Sequence, residues 1–229
     1  MKSANEVRFL ELLEKSPLTE EEFQEEEKAR DLFVEELRTE TASLLGELKS
    51  VGIICISVWD LVNTRQRYPE AIDILIKHLS INYHERNKEG IIRALTVKEA
   101  RGKATKALIE EYNKTPIEEM NYRWVIGNAV NITATAQDYD SILKIVLDKK
   151  NGWSRGMFVA ALGRLRGKEV EDLMITLLDD EDVKFEAVRI LGKMKSVKAI
   201  EKIRFLTHYP VRELRILAIR ALKKIEATK

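Results

Sequence analysis

Three histidines, one cysteine and a few paired carboxylates are the residues of this 229-residue chain whose types could do chemistry. His78, His84 and His208 have no second His or Cys at a metal-ligand spacing, so no metal site is expected. Cys55 lies in the apolar run "VGIICISVW" and reads as a buried small hydrophobe, not a nucleophile. Asp138/Asp140 and Asp179/Asp180 fall in turns, where the expected role is capping a following helix, not acid–base work. The sequence has no GxGxxG unit, phosphate loop or GxSxG elbow. No catalytic residue and no cofactor are therefore expected, and binding takes precedence over catalysis.

The basic residues carry more pattern. Lys88, Arg123, Arg155, Lys184 and Arg215 are each followed by apolar or small residues at +3, +4, +6 and +7. Cys55 starts a weaker copy. The starts are 33, 35, 32, 29 and 31 residues apart. Two readings of the ladder stay open. In one, each stem packs along the apolar stripe and its head bonds a neighbouring repeat. In the other, the heads form an anion-facing ridge. The tryptophans add a similar choice. Trp59 sits at a core offset. Trp124 and Trp153 flank Arg123 and Arg155 in "YRW" and "WSR", a grouping that suits either a binding hot spot or packing between repeats.

The elements that position these residues follow from periodicity. "GMFVAALGRLRGKEVEDLMITLL" is repeated with variation as "FEAVRILGKMKSVKAIEKIRFLT", two short apolar helices each time. After each template helix but the last comes a second one: "AIDILIKHL", "ATKALIEEY", "SILKIVLDK", "EVEDLMITL" and "AIEKIRFLT". Apolar residues at i, i+3 and often i+4 or i+7 give each helix one buried face. One hairpin cannot bury that face alone, whereas stacked neighbours can. The expected fold is an all-α, right-handed α-solenoid of about five hairpins plus a closing helix, Arg212–Ile225.

Residues 1–50 carry 7 basic and 14 acidic side chains, whereas residues 51–229 carry 32 and 24, so a net −7 precedes a net +8. Thr19 with Glu22 reads as a capping box opening a helix over 20–49, preceded by a short helix near Val7–Leu13. The domain expectation is an acidic helical cap, 1–50, and a repeat body, 51–229, as one continuous unit. Gly52 and the linker Asn63–Tyr68 suggest a soft joint between them. No apolar run approaches the ~18 residues of a membrane span, and the first residues lack a secretory leader pattern, so a cytoplasmic protein without membrane attachment is expected.

"VAALGRLRGKEVEDLM" and "AVRILGKMKSVKAIEKI" resemble HEAT repeats, particularly the short bacterial type related to bilin-lyase repeats. The resemblance covers roughly Val51 to the C-terminus and is closest over 153–225. The Asp-Pro common in the family's turns is absent here. The resemblance implies that the second helices line a concave face. Asp73, Lys77, Lys106, Glu110, Lys144, Asp148, Asp172 and Lys202 are the expected exposed positions on those helices. Their mixed charge suits a protein partner better than a nucleic-acid groove. The expected function is a non-catalytic protein-binding, scaffolding or regulatory module. Candidate binding residues are Arg123, Trp124, Trp153, Arg155, Lys106, Lys144, Asp148, Asp172 and Lys202. The alternative is a DNA-binding protein resembling the glycosylases of alkylated bases; the bilin-lyase likeness also implies a third, a chromophore lyase.

Overall fold

The structure is a computed structural model that describes residues 2–165 and 169–227. The described residues form α-helices and short 3₁₀ turns, without strands. The chain divides into two compact units, Met1–Ala94 and Leu95–Lys229.

The first unit holds α1 (Ala4–Glu14), α2 (Glu20–Glu40), α3 (Ala42–Ser50), α4 (Trp59–Asn63), α5 (Ile72–Leu79) and α6 (Glu85–Ala94). α1 and α2 pair as a hairpin. The Thr19–Glu22 capping box is present in both directions. Arg8 donates to both oxygens of Glu25, at 2.9 and 2.7 Å, and Phe9 packs on Phe33 at 6.4 Å. The helix expected over 20–49 breaks at Thr41, whose hydroxyl donates to the Leu37 and Arg38 carbonyls and whose ψ of 11° lies outside the helical range.

The weak repeat copy at Cys55 reduces to the one-turn α4. The chain before it is not helical, and Ile54 and Ile56 point into solvent on either side of a half-buried Cys55. The expectation of a buried Cys55 is corrected to that extent; its partial burial still pushes the thiol pKa up. Trp59 is likewise only half-buried, against Gly90 of α6.

The second unit holds α7 (Thr105–Lys114), α8 (Met120–Thr133), α9 (Tyr139–Leu147), α10 (Gly156–Leu165), α11 (Val170–Leu177), α12 (Lys184–Met194), α13 (Ile200–Leu206) and α14 (Arg212–Glu226). The template helices α8, α10, α12 and α14 touch in succession, while α7, α9, α11 and α13 each pack on the template helix that follows. This is the contact pattern of a solenoid, in which each repeat meets only its neighbours. The template offsets are core positions: Ile126, Ala129 and Val130 of α8, Phe158, Val159, Ala161 and Leu162 of α10, and Ala187, Val188, Ile190 and Leu191 of α12 are all buried.

Small residues set the helix spacing. A Cβ on Gly192 would lie 2.7 Å from the Ala221 Cβ and 2.9 Å from its Cα, so α12 and α14 touch backbone to backbone there. A Cβ on Gly163 would lie 2.7 Å from Ile190 of α12. The same template position thus brings two successive helix pairs together.

Candidate functional site

The basic ladder starts the template helices, and its placement decides between its two readings. Arg123 is buried. It donates to the Tyr112 and Thr115 carbonyls at 3.0 and 2.7 Å, where α7 ends, and to the Asn151 side chain at 2.5 Å. Its guanidinium also lies 3.8 Å from the Tyr112 ring centroid. Arg155 is buried too. It donates to the Val146 carbonyl near the end of α9, to Gly152 O, to both oxygens of Asp180 at 3.1 and 3.0 Å, and to Asp182 at 3.3 Å. Lys184 repeats the arrangement in weaker form, bonding Glu181 at 2.5 Å and the Tyr209 hydroxyl at 3.2 Å. Arg215 donates to the Tyr209 and Pro210 carbonyls.

One physical rule covers these cases. A helix leaves its last carbonyls unpaired, and a buried cation needs several acceptors to offset its lost hydration. Arg123 and Arg155 solve both problems at once. Each caps the second helix just before it, then reaches an acceptor in the loop one repeat further on: Asn151 for Arg123, and Asp180 with Asp182 for Arg155. Lys184 makes the same forward reach, to Tyr209. Burial works against the Lys184 ammonium, but its bonds to Glu181 and Tyr209 outweigh this and raise its pKa. Bonds from Lys184 and Tyr209 in turn hold the Glu181 carboxyl below its ordinary range.

Arg123 and Arg155 were candidate binding residues. Their burial corrects that expectation, because neither guanidinium presents its donors to solvent, and the anion-facing ridge fails at these two rungs. Asp180 is likewise an ion-pair partner of the next-door arginine instead of a plain helix cap. Asp138 does cap, in a capping box with Thr135.

The sequence reading missed the acceptors. Asn151 also donates to the Ile145 carbonyl, and Ser154 bonds the buried Tyr112 hydroxyl at 2.8 Å. Gly152 makes this turn possible. Its φ of 54° and ψ of −147° are strained for any side chain, and a Cβ there would lie 2.4 Å from the Met120 Cε. A signal was available: Asn151 and Asp180 each stand four residues before the next ladder position.

The remaining candidates are at the surface. Trp124 is half-buried, whereas Trp153 is 42% exposed. Lys106, Lys144, Asp148, Asp172 and Lys202 are all exposed on or at the ends of second helices. Lys202 bonds Asp179 at 2.7 Å and Asp172 accepts from Lys198 at 3.2 Å, so this end of the surface is laced by exposed ion pairs. Lys144 and Asp148 instead line a groove of about 630 Å³ between α7 and α9. Ile109, Asn113, Lys114, Ile117, Ser141 and Asn151 are among its other lining residues, and Arg123 lines it too. Ile117 and Leu147 are exposed apolar residues in this region. Among the described residues no three His, Cys, Asp or Glu are grouped so as to hold a metal ion. No helix among them is long and apolar enough to cross a membrane.

Residues 139–223, from α9 through most of α14, match the family model of HEAT repeats. This segment belongs to the HEAT-repeat family. The HEAT match thus covers the repeats joined by Arg155, Lys184 and Arg215. A designed armadillo repeat protein is similar across 96% of this chain and 98% of its own, at 16% identity and a TM-score of 0.40. No curated protein matches.

Proposed function

We propose that this protein is a non-catalytic protein-binding module whose partner seats on the second helices of its HEAT-type repeats, in the groove between α7 and α9. The observation that carries the reading is the composition of that groove. It combines apolar Ile109 and Ile117, amides of Asn113 and Asn151, and charges of both signs, Lys114 and Lys144 with Asp148. Close by in sequence, Leu147 and Trp153 also present apolar surface to water. Apolar anchors within a polar rim are the anatomy of a protein interface. A nucleic-acid groove needs a dense run of cations at phosphate spacing, and here the two best-placed arginines are committed to the stack.

The test is affinity capture from cells with and without nuclease, comparing the unaltered chain with Leu147→Glu/Trp153→Ala and with Lys144→Glu/Asp148→Lys. All these positions are exposed, so circular dichroism should be unchanged. A protein captured after nuclease by the unaltered chain and lost with both variants supports the reading. Equal capture by all three removes the partner from this groove, and capture abolished by nuclease moves the function to nucleic acid.

A further inference from the structure

The last template helix differs from the others on one side. Val159 of α10 and Val188 of α12 are fully buried, but their counterpart in α14, Ile219, is 41% exposed. At the close-approach position the series Gly163, Gly192 continues as Lys223, whose side chain bars another helix from the same backbone contact. The α14 stripe therefore stays open, with a surface changed from the others. Arg212, Ile216, Ile219, Arg220 and Lys223 recur at three- and four-residue spacing, share one helix face and are all exposed. It is an apolar pair set among cations, with one carboxylate, Glu226, at its C-terminal end in an ion pair with Arg204.

The chain also carries the complement of this stripe. α2 contains ten acidic and three basic residues. Phe23, Glu27, Asp31 and Val34 recur at four, four and three residues, so they too share a face, and all four are exposed. This is an apolar pair with two carboxylates between, both within ion-pair distance of Arg30 on the same helix, at 3.8 and 3.2 Å. Laying α14 of one molecule on α14 of another would set Arg220 and Lys223 against their own copies, which is electrostatically unfavourable. Laying α14 on α2 of another molecule brings cations onto carboxylates and Ile216 and Ile219 onto Phe23 and Val34.

We propose that the Ile216/Ile219 stripe of α14 docks α2 of a second copy of this chain, head to tail. Such a contact uses two different patches, so one copy can engage two neighbours and association need not stop at a dimer. Exposed opposite charges supply the selectivity, so the association weakens as salt shortens the reach of the field.

The test is sedimentation velocity of the full chain over a concentration series, at about 20 mM and about 500 mM salt, where the Debye length falls from ~20 Å to below 5 Å. The expected result is concentration-dependent association at low salt, extending beyond the dimer, with a dissociation constant at least about tenfold weaker at high salt. Arg220→Glu/Lys223→Glu blocks the tail and Glu27→Lys/Asp31→Lys blocks the head, and each alone should abolish association. These four positions are exposed, so folding is checked by circular dichroism and not at risk from cavities. Mixed in equal amounts at low salt, the two variants should associate again, because intact head meets intact tail and the charge-reversed head meets the charge-reversed tail. A chain that stays monomeric at low salt overturns the proposal. So does association that survives either variant, which would indicate a symmetric contact or a different surface.

Discussion

Arg155→Met tests the ladder at its most buried rung. The Arg155 side chain is 1% exposed and its Asp180 partner 10%. Methionine keeps much of the stem's volume and removes the charge. The change leaves the Asp180 carboxylate without its cation and the Val146 and Gly152 carbonyls without a donor. Breaking one side of a buried ion pair costs about 3–5 kcal/mol. Lys184→Met is the internal control. Its acid partner Glu181 is 72% exposed, so water can take over and the expected loss is about 1 kcal/mol. The assay is urea unfolding followed by circular dichroism, with midpoints converted to free energies where the slope is unchanged. Adding Asp180→Leu to Arg155→Met should recover part of the loss, since it removes the stranded carboxylate. Equal costs for Arg155→Met and Lys184→Met, or strictly additive costs for Arg155→Met and Asp180→Leu, would refute the idea that burial of the acceptor sets the strength of each rung.

Two glycines should respond oppositely in the same unfolding assay: Gly192→Ala forces α12 from α14 and should cost about 1–3 kcal/mol, whereas Gly46→Ala, in an exposed turn of α3 with nothing within 4 Å, should stabilise by about 0.5–1 kcal/mol. Two carboxyls should respond oppositely to pH. Lys15 and the Thr19 backbone N–H hold Glu22 down to about 2, so its stabilising contribution is complete above the ordinary value of 4.5 and is lost as pH falls toward about 2, readable as a sub-4 titration by NMR. Burial raises the Glu186 pKa, so its carboxylate weakens the fold at neutral pH. Glu186→Gln should stabilise there, with the advantage fading below the ordinary glutamate range; a loss of stability at pH 7 would count against this. Hydrogen exchange in the first unit should be fastest between Val51 and Val58, where non-helical chain with exposed Ile54 and Ile56 separates α3 from α4; protection there equal to that of α5 would contradict it.

Much of the second unit was legible because its repeats are local. The offsets after Arg123, Arg155 and Lys184 name buried residues, since a helix of fixed pitch puts those positions on one side. The template falters at Cys55 for a physical reason: apolar content alone does not make a helix, and "GIICIS" begins at a glycine with φ of 85° and has little helix-favouring content. The single helix expected over 20–49 was misjudged because a threonine hydroxyl competing for its own helix carbonyls leaves no mark in a hydrophobic pattern. The ladder's cations were visible, but not what they bond. Asn151, Asp180 and Tyr209 meet their cations 25 to 28 residues away, and only stacking brings them together. Charge and aromaticity made Arg123 and Arg155 look like a contact surface, and burial decided otherwise. The groove that holds Lys144 and Asp148 was legible only as exposed positions on second helices, because its walls come from two repeats.

The most direct measurement is NMR of the arginine side-chain Nε–H groups in the full chain, titrated with inorganic polyphosphate and with a short DNA duplex. If Arg155 belongs to the stack, its Nε–H, which donates to Gly152 O at 2.9 Å, gives a slowly exchanging signal that neither anion moves. A signal that exchanges freely, or that shifts in saturable fashion with either anion, would mean that the ladder faces a ligand and that the partner surface lies there instead of on the second helices.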